Sequence, residues 1–151
     1  MNFSDLAKLR ISDIQNDRIQ YRRSKTGKPL SVKLTDATRA ILNMYIVDKT
    51  GDDLIFPILK RDTPELRYKD LYNERRTFNK YLNKIAEKCE IEGNLTSYVA
   101  RHSWATIAKD LNVPISVISE GLGHEDIKTT QIYLDEFDTS IIDEANKLIT
   151  G

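Results

Sequence analysis

A chain of 151 residues is long enough to bury about two thirds of its unfolded surface, so it needs neither metal nor disulfide to fold. Its 23 Lys/Arg and 23 Asp/Glu cancel, one cysteine rules out a disulfide framework, and no apolar run approaches the roughly 20 residues of a membrane span. No charged-then-apolar leader opens the chain, and it reads as a soluble, cytoplasmic protein.

In chain order, Phe3, Leu6 and Leu9 recur at helical spacing with Ser4 and Asp5 as cap candidates, which predicts a short helix over 3–9. Arg18–Ser24 and Leu30–Leu34 alternate apolar with polar residues around the turn Lys25-Thr26-Gly27-Lys28-Pro29, the pattern of a β-hairpin. Thr35 and Asp36 can cap a helix running to about Lys49 and ended by Gly51. A connector with Pro57 and Pro64 leads to a long helix from about Tyr68 to Glu90, in which Cys89 is expected as a small buried residue. Further helices are expected from about Ser97 to Leu111, after Pro114, over Thr129 to Leu134, and from about Thr139 to Ile149. The last has Ile141, Ile142, Ala145, Leu148 and Ile149 on one stripe, suited to packing on its own core or on a neighbouring protomer. With no repeat or low-complexity tract, the fold class is mainly α with a small antiparallel β-hairpin or sheet, in one domain over 1–151.

The neutral total hides an asymmetry, because residues 1–50 carry +5, residues 51–89 carry +2 and residues 90–151 carry −7. Basic residues collected in the first half suit a phosphate backbone, although ordinary solvated faces produce the same pattern. Two boxes sharpen the choice: Thr96-Ser97-Tyr98-Val99-Ala100-Arg101-His102 and Leu122-Gly123-His124, the latter followed nine residues on by Tyr133. This sequence resembles the tyrosine recombinase, or phage integrase, family, and the resemblance covers essentially all of the chain. In that family the first box carries H-x-x-R on a helix and the second carries L-G-H followed by a nucleophilic tyrosine.

The resemblance implies a tyrosine recombinase catalytic-domain fold, and a site in which Arg101, His124 and Tyr133 surround a scissile phosphate without any cofactor. Positions 98 and 101, three apart on a predicted helix, project from one face, and a guanidinium holds phosphate through two parallel hydrogen bonds. Taken by itself, Arg101 could equally be an ordinary ion-paired surface residue. Tyr98 stands where the family has histidine; its phenol can donate a hydrogen bond but stays uncharged near neutral pH, so it positions phosphate rather than acting as a base. His124 follows a helix-ending Gly-Leu-Gly, which puts the imidazole at a turn. His102 is expected to be packed, hydrogen-bonded and supporting Arg101. No Cys or carboxylate stands at metal-ligand spacing around either histidine.

Tyr133 is one of seven tyrosines, and an arbitrary tyrosine is a half-buried ring with its hydroxyl at the surface. As the family nucleophile it would form a 3′-phosphotyrosyl link and release a 5′-hydroxyl, conserving the bond for religation. The family's leaving-group acid is a lysine on a β-turn, a place matched by Lys25 with Lys28 as competitor; either could instead be a backbone phosphate contact. Arg22, Lys28 and Lys128 are further expected DNA contacts.

The family usually places another arginine in the first helix, where this chain has Asn2. Arg23, two residues before Lys25, is the candidate replacement, on the expectation that strand alternation sends both side chains to one face. The family's upstream DNA-binding domain has no counterpart here, which predicts a catalytic domain of a longer protein with weak DNA affinity in isolation. The implied function is site-specific recombination of double-stranded DNA by a tetramer of the full-length protein, as the integrase of a mobile element in a prokaryotic nucleoid; the isolated domain would be a monomer. The alternatives are a DNA-binding module of this fold that has lost catalysis, a monomeric DNA-relaxing enzyme, and a structural helical domain whose boxes are coincidental.

Overall fold

The computed structural model describes residues 1–134, for Tyr133 the backbone alone. The chain divides into two compact units, the first ending at Arg101 and the second beginning at His102.

The first unit opens with a one-turn helix, α1 (Phe3–Leu6), and a 3-10 turn (Ile11–Asp13). Strands β1 (Ile14–Gln15), β2 (Arg18–Arg22) and β3 (Pro29–Lys33) then form an antiparallel sheet in the order β1-β2-β3. Pairing of Gln15 with Arg18 and of Ile14 with Ile19 leaves Asn16 and Asp17 as a two-residue turn, both at positive φ. Short polar side chains tolerate that conformation, which matches the twist of the flanking strands. The sheet thus has one strand more than the expected hairpin. Between β2 and β3 the register Arg22 opposite Pro29 leaves a six-residue turn, 23–28, closed by Arg23 N–H to Lys28 O at 2.9 Å and Gly27 N–H to Arg23 O at 2.8 Å. Gly27 at φ 70° supplies the left-handed step.

Helix α2 (Asp36–Asn43) starts where expected, its cap Thr35 accepting from Thr38 N–H, but it stops six residues short of Lys49. Beyond Met44 the chain turns so that Ile46 packs on the core, and the Lys49 ammonium donates to the carbonyls of Leu54 and Ile55 at 3.0 and 2.7 Å. Burial of Ile46 outweighs helical continuation. Helix α3 (Pro64–Lys88) begins four residues earlier than expected, because Thr63 caps it and Pro64, with its fixed φ and no N–H, fits the first helical position. At its far end Cys89 is the capping residue and is exposed rather than buried, since the Ile91 N–H returns to Ala86 O and turns Cys89 outward from the last turn. The core of this unit is Leu9, Ile19, Leu34, Leu42 and Ile55, with Ile11, Ile14, Tyr21, Ile46 and Phe56 against it.

Helix α4 (Val99–Asp110) closes the first unit with its first turn and continues in the second, which also holds α5 (Ile115–Leu122) and α6 (Ile127–Leu134). Asn112 at φ 56° ends α4, and Val113 N–H reaches back to Ala108 O at 2.9 Å while its side chain joins the core. That core is Ala105, Ala108, Ile118 and Leu122 with Val113 and Leu134 packed on it. Gly121, inside α5, is required by a close approach: a Cβ there would lie 2.6 Å from the Trp104 ring. The fold class is the expected one, mainly helical with a small antiparallel sheet. The helix expected over Thr139–Ile149 lies outside the described residues. No helix among the described residues is long and apolar enough to cross a membrane.

Candidate functional site

Within the first unit the turn 23–28 is anchored from α1. The Ser24 N–H donates to Asp5 Oδ1 at 2.9 Å, and Asp5 is only 5% exposed. Asp5 therefore serves the turn rather than the end of α1, whose cap residue Asn2 makes no side-chain cap bond. Lys25 stands exposed near the tip of this turn, Lys28 is half-buried at its end, and Arg22, on the strand, donates to Gly27 O at 3.2 Å.

Arg23 also lies in the turn. Because β2 ends at Arg22, strand alternation does not reach positions 23 and 25, and the two differ in environment: Arg23 is half-buried and Lys25 exposed. Arg23 and Arg101 act electrostatically on the same two groups. Burial first, and then the Asp5 carboxylate, push the Tyr21 phenol's pKa up, while Arg23 and Arg101 pull it down. The Met1 amino group is held below its ordinary value by burial and then by Arg101, with Arg23 adding in the same direction and Asp5 opposing. Two guanidiniums and one buried carboxylate thus act on the same patch of the first unit, at the foot of the turn that bears Lys25.

The segment leading into α4 is held by α3. Asn83 Oδ1 accepts from Leu95 N–H and Asn79 Oδ1 from Ser97 N–H, each at 3.0 Å. Asn79 and Asn83 are one helical turn apart, so a single face of α3 fixes the entry to the helix that carries Arg101. Tyr98 is exposed and sits in the turn just before α4 rather than on it, with Arg101 N–H bonded to Tyr98 O at 3.0 Å. Arg101 itself is half-buried in the first turn of α4. His102, expected to be packed, is exposed, because its place on α4 turns it to the surface, though it does have an interaction partner. One further residue of this half has no signal in the sequence: Asp70, buried on α3, accepts from Arg61 Nε and Nη2 at 2.9 and 2.6 Å and from the Lys60 and Arg61 N–H groups at 2.9 and 3.0 Å. It fixes the connector ahead of α3.

In the second unit α5 ends at Leu122, and Gly123 takes the left-handed conformation at φ 67°. The His124 N–H then returns to Ser119 O at 3.0 Å, which places the half-buried imidazole at the turn, as the Gly-Leu-Gly pattern predicts. Its Nδ1 lies 2.8 Å from the hydroxyl of Thr130, a residue with 0% exposure that no local pattern marks out. Asp126 Oδ1 accepts from Lys128 N–H at 2.9 Å and so helps start α6; the Lys128 side chain is exposed. Tyr133 lies in the last turn of α6, whose end is tied by the Lys109 ammonium donating to Leu134 O at 3.0 Å.

Comparison with known proteins places this geometry in a family. The model of the phage integrase family matches residues 1–140. Tyrosine recombinase XerA of Saccharolobus solfataricus is 32% identical over 121 residues, covering 80% of this chain and 36% of that protein. Tyrosine recombinase XerD of Listeria innocua is 30% identical over 135 residues, 88% of this chain and 45% of that one. Among solved structures, that of XerA recombinase matches with a TM-score of 0.69 at 24% identity, over 99% of this chain and 53% of the other. XerH site-specific recombinase in a post-cleavage complex with palindromic difH substrate matches with a TM-score of 0.73 at 22% identity, over 100% of this chain and 42% of the other; both likenesses show the fold. The chain thus spans about half or less of the length of the relatives it matches. From its boxes, its fold and these matches, the chain belongs to the phage integrase family of tyrosine recombinases.

Proposed function

We propose that this chain carries the strand-cleaving and rejoining chemistry of a site-specific recombinase acting on double-stranded DNA. The observation that carries the reading is the pairing of family membership with an imidazole held at the left-handed turn after α5, on the same unit as the helix bearing Tyr133. In the reaction the Tyr133 phenol gives up its proton to solvent as its oxygen attacks phosphorus, the bond to the 5′-oxygen breaks, and the Lys25 ammonium passes a proton to that oxygen; DNA is left joined to the protein through a 3′-phosphotyrosyl bond. A well-placed acid of this kind contributes ~10²–10⁴-fold. Arg101 grips the non-bridging oxygens through its fork of donors, His124 adds a hydrogen bond, and Tyr98 donates a third from its phenol. Arg23 supplies the second guanidinium that Asn2 cannot, a role supported by its reach toward the same patch as Arg101. No cofactor is needed, because the phosphotyrosyl bond conserves the energy for religation.

Double-stranded DNA as partner draws support from α3, where Arg76, Lys80, Lys84 and Lys88 stand exposed one turn apart. Like charges at that spacing repel one another, and a polyanion relieves the repulsion. Arg22, Lys28 and Lys128 are assigned to the same backbone. The similar XerH structure is of a site-specific recombinase bound to palindromic difH substrate after cleavage, and XerA and XerD are named as tyrosine recombinases. As part of the same proposal, the full-length protein works as a tetramer on DNA in a prokaryotic cytoplasm, as the integrase of a mobile element, with this chain as its catalytic domain.

The test is a pool of duplexes with randomised cores, each nicked beside the candidate scissile phosphate so that the released strand diffuses away. The reading predicts an adduct that survives denaturation and is absent with Tyr133→Phe. Retention of duplex by the chain with no adduct from either protein would instead support a binding module that has lost catalysis, the reading that Asn2 favours.

A further inference from the structure

Thr130 is an unusual place for a hydroxyl. It lies on α6 with 0% exposure, and its oxygen is 2.8 Å from His124 Nδ1. Among the described residues that imidazole nitrogen is the hydroxyl's one side-chain partner, and no buried side-chain polar atom there is left without one. A hydroxyl has one proton to give and two lone pairs to offer. Were the ring proton on Nδ1, the Thr130 oxygen would accept it, and the Thr130 proton would then be buried without an acceptor among the described residues. Leaving a buried donor unmade carries the full desolvation penalty of that group, whereas the opposite arrangement satisfies both partners.

We infer that Thr130 is a positioning residue whose hydroxyl proton is given to His124 Nδ1, so that the neutral ring carries its own proton on Nε2. The hydrogen bond made by one ring nitrogen fixes the state of the other. An N–H at Nε2 is a donor, the form a phosphate oxygen can accept from, and it is present without the ring becoming charged. The ring is also tied at both ends: the backbone of His124 to α5 through Ser119 O, the side chain to α6 through Thr130. Imidazole orientation and the helix that bears Tyr133 are therefore one assembly. The functional half of this inference rests on the proposed strand cleavage; the tautomer does not.

The two parts are tested separately. With only two histidines, the His124 ring nitrogens can be assigned in ¹⁵N-histidine-labelled chain at mildly alkaline pH. The expected spectrum has a protonated Nε2, a bare Nδ1 and a slowly exchanging Thr130 hydroxyl proton; Thr130→Ser keeps all three, and Thr130→Val loses the hydroxyl signal and averages the ring between tautomers. A proton on Nδ1 in the parent chain, or an unchanged ring in Thr130→Val, overturns the assignment; if valine prevents folding, the parent and serine spectra decide alone. On nicked duplexes Thr130→Val should lower the single-turnover rate of adduct formation roughly ten- to hundred-fold with the half-saturating duplex concentration unchanged, and Thr130→Ser should restore it. Full cleavage by Thr130→Val with a disordered tautomer removes the positioning role, whereas failure of the parent chain to cleave overturns the recombinase reading and leaves the spectra to judge the hydroxyl–imidazole bond.

Discussion

The two units hold their candidate site residues by different means. In the first, a sheet over a core of bulky aliphatics presents cations on a turn, and a buried carboxylate, Asp5, fixes that turn by accepting a backbone N–H. In the second, short helices close on alanines, and the candidate histidine is fixed by a helix-ending glycine and a neutral hydroxyl. The contrast follows from charge. The anchor of the turn that presents cations is a carboxylate, and the anchor of the imidazole is an uncharged hydroxyl, the partner that the inferred tautomer takes.

Four substitutions sharpen this comparison. The largest effect is expected at Arg101, where Arg101→Lys keeps the charge but loses the planar fork; cleavage of nicked duplex should fall on the order of 10²–10³-fold. A loss under threefold would make the forked grip unnecessary.

Next is the anchor of the turn. Asp5→Ala leaves the Ser24 N–H without its carboxylate acceptor at a part-buried bond and should destabilise the chain by about 1.5–3 kcal/mol in urea titration. Asp5→Asn, which retains an acceptor oxygen, should recover part of it. Equal stability of parent and alanine variant would show that the turn needs no anchor.

The third concerns pH. The Arg61 side chain, then the Lys60 backbone N–H, hold the Asp70 carboxyl below its ordinary value against the opposing pull of burial. Its folded pKa therefore lies below the unfolded one, so its contribution is complete above the unfolded value, near 3.9, and is lost as pH falls through the folded value. Thermal unfolding should find Asp70→Asn less stable at neutral pH and the gap closing in acid. A gap that widens in acid would reverse the assignment.

The smallest effect belongs to the second unit. Alanine at 121 gains about 0.8–1 kcal/mol of helix propensity over glycine but meets the Trp104 ring at 2.6 Å. Overpacking costs typically 1–3 kcal/mol, and the ring is 47% exposed and able to swing aside, so Gly121→Ala should be neutral to mildly destabilising. In a Trp104→Ala background the same change should stabilise. Identical effects in both backgrounds would mean that the ring does not constrain α5.

These residues also mark where the sequence is legible. The hairpin bearing Lys25 could be read because alternation and Thr26-Gly27 are local signals, as are the cap at Thr35 and the glycine turn before His124. Strand β1 is not legible because two residues cannot show a period, and α2 is shorter than its pattern because the apolar run 44–47 fits a helix locally while Ile46 is claimed by the core. Thr63-Pro64 is a helix-start signal legible in the sequence. Asp5, Asp70 and the pair Asn79 and Asn83 act on backbone 9 to 19 residues away, which no short-range pattern encodes. The two boxes gave the family, but Tyr98 standing before α4, His102 at the surface and Arg23 off the strand are matters of where an element begins or ends.

The most direct test of the whole is the identity of the residue joined to DNA. Adduct from the randomised nicked pool, trimmed with nuclease and digested with protease, should yield one modified peptide, spanning Tyr133 and carrying a nucleotide 3′-phosphate on the phenol oxygen. A nucleotide on any of the other six tyrosines, or on a serine, would contradict it.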